Sequence, residues 1–280
     1  MTDRNRDQSM FHDDLYKKAI AEIGTLKKKL PEDAFASLAR EVIRRLSDHP
    51  SVTTSSIAFP TDSTIEELAR ALLEPDVDVG IRFIERVRDK GASVETVYLA
   101  YLAEAAKILG EWWEKDEISF TGVTVATGHI YAVMRGLNAS FLPEDLPRAQ
   151  PEAFFCGVPG ETHLLGVSMA ADLFRKEGWD IALKRGLDHD EIIQLATQTN
   201  PVLIGLSAAG EHAIVPLAQL IIALRISVPK TAIMVSGAIL ETAYEDVLAL
   251  GPDIIPTGMD DALERAQDAW AQTQNRSQFG

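Results

Sequence analysis

The sequence predicts two architectures in series: a helical region, then a five-stranded, parallel, doubly wound α/β domain. Three observations lead there. Up to Phe141 the apolar residues recur at helical spacing. The polar breaks between those segments are short, as in an antiparallel helical bundle. After Pro147 the rhythm changes to short apolar runs that alternate with helical ones, the signature of strand–helix–strand units in a parallel sheet. A chain of 280 residues accommodates about two domains at ~100–200 residues each. The expected divisions are 1–60 for an N-terminal helical extension and linker, 61–148 for a four-helix bundle and 149–280 for the α/β domain.

In chain order, the first ten residues are charged and carry little to bury. Leu15 to Leu46 shows helical spacing in two segments divided by Pro31, with Pro31-Glu32-Asp33 reading as a helix start. Ser47 to Pro60 reads as a linker. The bundle helices are expected at Thr64–Leu73, Val77–Lys90, Ser93–Trp113 and Ser119–Phe141. Strands are expected at Ala153–Val158, Ile181–Lys184, Val202–Ser207, Ala232–Val235 and Asp253–Ile255. The intervening helices fall at Leu164–Lys176, Asp190–Gln198, Ile214–Ile226, Glu241–Leu250 and Met259–Ala271. No repeat and no low-complexity tract is present.

Composition narrows the function. Net charge is −15, a surface that repels phosphate backbones, and no basic stripe offsets it; direct nucleic-acid binding is not expected. No apolar stretch reaches the ~18–20 residues that span a bilayer, and the polar start MTDRNRDQSMFHDD lacks a signal-peptide core, so a cytoplasmic protein without membrane contact is expected. The single cysteine, Cys156, lies in an apolar run and reads as a buried, inert thiol. Walker and Gly-x-Gly-x-x-Gly loops, Cys-x-x-Cys and paired histidines at metal spacing are all absent from the sequence, and no catalytic constellation is found. Asp188-His189-Asp190 reads as a helix N-cap, expected opposite the ligand-binding edge of the sheet.

Three loops carry the candidate site. The first strand is followed by Gly160-Glu161-Thr162-His163-Leu164-Leu165-Gly166, the third by Ser207-Ala208-Ala209-Gly210, and the fourth by Ser236-Gly237-Ala238. In parallel sheets, ligands lie beyond the carboxyl ends of the strands. His163 is placed to project an imidazole there. Glu161, two residues earlier, is able to accept the other ring N–H, which orients a ligating histidine and raises its basicity. Gly166 permits close backbone approach, and the small residues at 207–210 and 236–238 leave a slender channel. Taken singly, these pieces also read as an ordinary loop histidine and tight turns. Their joint occurrence at three strand ends singles them out.

The pattern resembles cobalamin-binding domains of the methionine synthase and mutase type, which carry Asp-x-His-x-x-Gly, then Ser-x-Leu, then Gly-Gly. Here Glu161-x-His163-x-x-Gly166 is followed after 40 residues by Ser207-x-Ala209 and after 26 more by Ser236-Gly237, in the family's order and spacing. The resemblance covers about 150–270 and implies a Rossmann-like fold with bound cobalamin. It further implies His163 as the lower axial ligand to cobalt in place of the cofactor's own dimethylbenzimidazole, Glu161 orienting it, Ser207 at the tail base and Gly237 along the tail channel. Glu161, Ala209 and Ser236 replace the family's aspartate, leucine and first glycine; the first lengthens the arm that holds the imidazole, and the others alter the pocket volume.

A helical bundle ahead of such a domain covers the upper corrin face in these families. Light-sensing B12 transcription factors carry a Trp, nine residues and Glu-His; from Trp113 the equivalent pair is Val123-Thr124, a departure that argues against a site specific for a deoxyadenosyl group. The run Trp112-Trp113-x-x-Asp116-x-Ile118-Ser119-Phe120-x-x-Val123-Thr124 is closer to the purple-bacterial photosynthesis antirepressors of the AerR/PpaA group and the related AppA sensor domain. That resemblance implies Trp113 as the cap, His129 as a possible second axial ligand, and an indirect regulator of transcription that responds to light or redox state by contacting a repressor of the PpsR/CrtJ type. Two alternatives stay open: a corrinoid carrier subunit of a methyltransferase system, which is the enzymatic reading, and a heme-binding sensor of the same fold, since an imidazole ligates iron as well as cobalt.

Overall fold

A computed structural model describes residues 60–137 and 150–278, all within one compact unit. The N-terminal extension, nearly all of the linker and the end of the fourth bundle helix lie outside the described residues.

The helical region opens with α1 (Asp62–Leu73), whose Thr61 N-cap accepts from the Thr64 N–H at 3.3 Å. Its buried residues Ile65, Leu68, Ala69 and Leu72 form one stripe at helical spacing. Helix α2 (Val77–Asp89) is capped by Asp76. Ser93 then caps a helix that changes form along its length: α3 (Val94–Thr96), a π-helical segment (Val97–Leu102) and α4 (Ala103–Glu114). The uninterrupted helix expected over 93–113 is thus corrected, because periodicity does not register a local change from i+4 to i+5 bonding. Helix α5 (Phe120–Leu137) follows. Helix α1 packs on α2, α4 and α5, and α5 also packs on α2 and α4. They share an apolar cluster that includes Leu68, Ile84, Tyr98, Leu102, Leu109 and Ile130.

The α/β part runs β1 (Glu152–Gly157), α6 (Leu165–Lys176), β2 (Asp180–Lys184), α7 (His189–Thr199), β3 (Leu203–Ser207), α8 (Ile214–Ser227), β4 (Ala232–Ser236), α9 (Ile239–Thr242), α10 (Tyr244–Ala249) and α11 (Met259–Gln278). The strands are parallel in the order β2-β1-β3-β4. One sheet face, with Phe154, Cys156, Ile204, Leu206 and Val235, packs on Ile192 of α7 and Leu217, Leu220 and Leu224 of α8. The other, with Ala153, Phe155, Leu203 and Met234, packs on Val167, Ala171 and Phe174 of α6 and Ala262 and Ala266 of α11. Alternate residues of each strand therefore serve opposite cores. Burial pushes the Cys156 thiol up to about 12, as expected of an inert side chain.

The expected fifth strand, Asp253–Ile255, is corrected to a single parallel bridge between Met234 and Ile254. Pro252 and Pro256 bracket the run, and proline has no N–H to donate to a ladder. The Asp253 carboxylate also accepts the Ile233 N–H at 2.7 Å, replacing a main-chain acceptor. The expected helix over 241–250 is likewise divided into α9 and α10 at Ala243.

Asp188 does cap α7, in a reciprocal capping box with Glu191. Its predicted position, however, is corrected: β2 runs parallel to β1, so the loop after β2 opens at the same edge as the His163 loop. Among the described residues no helix is long and apolar enough to cross a membrane.

Candidate functional site

The strand register aligns the candidate loops. Gly157, the last residue of β1, pairs with Ser207 of β3, and Ser207 pairs with Ser236 of β4. The loops after these strands thus leave the sheet from a single row.

The loop after β1 turns sharply. Gly160 takes a left-handed φ of +87°, and the Glu161 N–H donates to the Val158 carbonyl at 2.8 Å. This directs the Glu161 side chain inward, where it is only 2% exposed. Its Oε1 accepts the Thr162 N–H at 2.9 Å, the His163 N–H at 2.8 Å and the His163 ring Nδ1 at 2.8 Å. Its Oε2 accepts the Ala209 N–H at 2.7 Å, which stitches the loop after β1 to the loop after β3. Burial pushes this carboxyl up, but the donors from His163 and Ala209 outweigh it and hold the group below its ordinary value.

Because a carboxylate only accepts, Nδ1 of the His163 ring carries a proton, and in the neutral ring Nε2 holds the lone pair. The His163 side chain is 75% exposed. The dyad therefore consists of a buried, anchored carboxylate and an outward imidazole whose second nitrogen is available to a ligand. Gly157 makes room for it: a Cβ there would lie 2.9 Å from Leu164 Cδ2 and 3.1 Å from Glu161 Cβ. Gly166 differs, since a side chain there would meet only open space; packing within the chain does not require a glycine at that position.

Gly237 sits where β3 and β4 loops touch. Its φ is +109°, and an added Cβ would stand 2.3 Å from the Ala208 carbonyl oxygen. That carbonyl accepts the Ile239 N–H at 3.1 Å, and the Ala208 N–H donates to Ser236 at 3.1 Å. Gly237→Ala is therefore expected to cost about 2–4 kcal/mol in chemical denaturation, from the strained φ together with a displaced loop.

The structure thus brings Glu161, His163, Ser207, Ala209, Ser236 and Gly237 to one edge. Trp113 and His129 belong to the helical region, on α4 and α5. Trp113 is 46% exposed, whereas Trp112 packs against the helical core with the Arg70 guanidinium 5.0 Å from its ring centre. His129 Nδ1 lies 2.9 Å from the Leu72 carbonyl of α1, to which it donates, a contact between helices. Sequence reasoning missed three participants: Gly157, the Ala209 main-chain N–H and Arg185. The last follows β2, sits 5.5 Å from the Tyr131 ring of α5 and reaches Ser168 Oγ at 3.4 Å; its signal was a cation just past a strand end. A cavity of about 470 Å³ opens at the opposite edge, where Arg225 is paired with Asp253 and Arg265 donates to the Asp253 and Ile255 carbonyls.

Among the described residues no cluster of three or more His, Cys, Asp or Glu forms a cage for a bare metal ion. A lone imidazole suits a metal that brings its own equatorial ligands, as a corrin or porphyrin does. The donor set fits a tetrapyrrole-like cofactor.

Comparison with known proteins selects among these. Residues 152–266 match a family described as the B12 binding domain, and residues 64–138 match a second family, also described as a B12 binding domain. The two matched regions are B12-binding domains, and they support cobalamin as the cofactor. It is similar to an uncharacterised 20.5 kDa protein from the bchF–crtJ intergenic region of Rhodobacter capsulatus, at 25% identity over 166 residues, covering 58% of this chain and 85% of that one. In fold it is similar to the Methanosarcina barkeri monomethylamine corrinoid protein, with a TM-score of 0.63 and 15% identity over 75% of this chain and 99% of that one.

Proposed function

We propose that this protein is a cobalamin-dependent sensor that regulates transcription without touching DNA, by binding a repressor of the PpsR/CrtJ type. The observation that carries the cofactor part is the anchored dyad: Glu161 holds Nδ1 of the exposed His163 side chain, so Nε2 is the nitrogen that would bind the cofactor's metal. Cobalamin, when bound, would supply a coloured metal centre able to respond to light, redox state or small ligands. The residues of the chain do the rest. Glu161 fixes the tautomer and the aim of His163, while Ser207, Ser236 and Gly237 line the slot for the nucleotide tail. Gly166 would leave clearance for the bound cofactor, and Trp113 would cover it. His129 donates from Nδ1 to Leu72, a bond that holds it between helices and leaves only its Nε2 for a second contact with the cofactor. In this reading residues 61–148 are the cap, 149–280 the cofactor domain and 1–60 an extension. Two features support a regulatory role: the relative's place beside crtJ and the strongly acidic surface, at net charge −15, which favours a protein partner over nucleic acid.

The fold similarity to a corrinoid protein of methylamine metabolism favours a second reading, a methyl carrier. One experiment separates them. The purified protein, loaded with hydroxocobalamin or with an alkylcobalamin, is tested in darkness and under illumination for a spectral change and for binding to a PpsR/CrtJ-type repressor. A light- or redox-dependent change in repressor affinity is expected. No repressor binding, with turnover of methyl groups beside a corrinoid methyltransferase, would establish the carrier instead.

A further inference from the structure

Helix α6, which begins two residues after His163, is packed on two sides. Val167, Ala171 and Phe174 face the sheet core. Met169 and Leu173 belong to the core of the helical region, with Leu165 packed against it. Along that second side run three polar residues, Ser168, Asp172 and Lys176, spaced i, i+4 and i+8 and so stacked on one face.

Each member of this ridge is engaged. Ser168 Oγ donates to the Leu164 carbonyl at 2.6 Å and receives Arg185, whose guanidinium lies against Tyr131 of α5. Asp172 accepts the hydroxyl of Tyr98 at 3.1 Å and is paired with Arg175 at 2.7 Å. Tyr98, fully buried in the π-helical segment, also approaches the Met134 carbonyl of α5 at 3.4 Å. Lys176 is paired with Glu95 of α3. One side of α6 therefore reaches both α5 and the α3–π segment through polar contacts.

Apolar side chains of the same volume would hold two elements together at least as strongly. A hydrogen-bonded ridge, buried at Ser168 and Asp172 and half-buried at Lys176, adds something else: at its buried members, sliding leaves a donor or acceptor unpaired. Such a contact has discrete states. We propose that the Ser168–Asp172–Lys176 ridge couples the His163 loop to the helical region, with Tyr98 and Asp172 as the positioning pair that passes a shift of α6 to the π-helical segment. The stimulus, cobalamin at His163, rests on the function proposed above; the coupling itself rests on these contacts alone.

Amide hydrogen exchange on the full chain tests it. In the wild type, hydroxocobalamin is expected to slow exchange across residues 97–102 by about tenfold, within the 5–150-fold span of coupled sites. In Tyr98→Phe, which removes one hydroxyl and keeps the ring, that response falls below about twofold, while hydroxocobalamin titration and the visible spectrum stay as in the wild type. A full response in Tyr98→Phe overturns the proposal, as does a wild-type response confined to 161–166. A second arm needs no cofactor. In the apoprotein, Glu161→Gln loosens the loop and is expected to speed exchange at 97–102 when Tyr98 is present and not when combined with Tyr98→Phe. If the wild type takes up no cobalamin, the cofactor reading of His163 fails and this arm still decides the coupling. Should Tyr98→Phe not fold, Lys176→Met is read in both arms against the same criteria.

Discussion

In His163→Ala, affinity for hydroxocobalamin falls by more than about 100-fold, and any cofactor that remains shows the spectrum it has free in solution. The expectation follows from how the imidazole is held. Changing an outer partner of a metal ligand costs about 10–100-fold, and losing the ligand itself costs more. His163 is the exposed half of the dyad, so its removal disturbs little packing but takes one donor from the buried Glu161 carboxylate, and the apoprotein is expected to lose only about 1 kcal/mol of stability. Visible absorption during titration gives the first result and thermal denaturation of the apoprotein the second. A parallel His129→Ala protein, altered on a helix contact, should bind with an unchanged spectrum. If His163→Ala retains the wild-type affinity and colour, His163 does not bind the cobalt.

Glu161→Ala reverses that pattern: stability is lost along with binding. The carboxylate is buried and accepts three main-chain N–H groups, from Thr162, His163 and Ala209, besides the imidazole. Each buried donor left without a partner costs about 1–3 kcal/mol. With some relief from water entering the loop, the total expected is about 3–5 kcal/mol, a large share of the ~5–15 kcal/mol that stabilises a domain. Urea denaturation of the apoprotein measures this, and hydroxocobalamin titration should show the imidazole no longer held in one tautomer as at least a tenfold loss of affinity. Glu161→Asp is informative because the related families carry aspartate at this position. A shorter arm that still reaches Ala209 would leave stability near the wild type. A Glu161→Ala protein as stable as the wild type would show that the stitch between the two loops contributes nothing to folding.

Much of this protein is readable from the residues alone. Period-3.6 stripes such as Ile65, Leu68 and Leu72 mark helices, and short apolar runs such as Ala153–Val158 mark strands, because burial on one face imposes its period on the sequence. The His163 and Ser207 loops and their order were also legible, since parallel connections leave every ligand loop at the same edge. The place of the Asp188 loop was legible too, since the predicted parallel strands already put the loop after β2 at that edge. Only the tertiary structure decided two other matters. It reduced the fifth strand to a bridge, where the Asp253 carboxylate, 20 residues away in sequence, accepts the Ile233 N–H. It joined Glu161 to the Ala209 N–H and Tyr98 to Asp172, across 48 and 74 residues. Hydrogen bonds at such separations leave no periodic trace in a sequence, and a main-chain donor leaves none at any separation, because every residue but proline carries one.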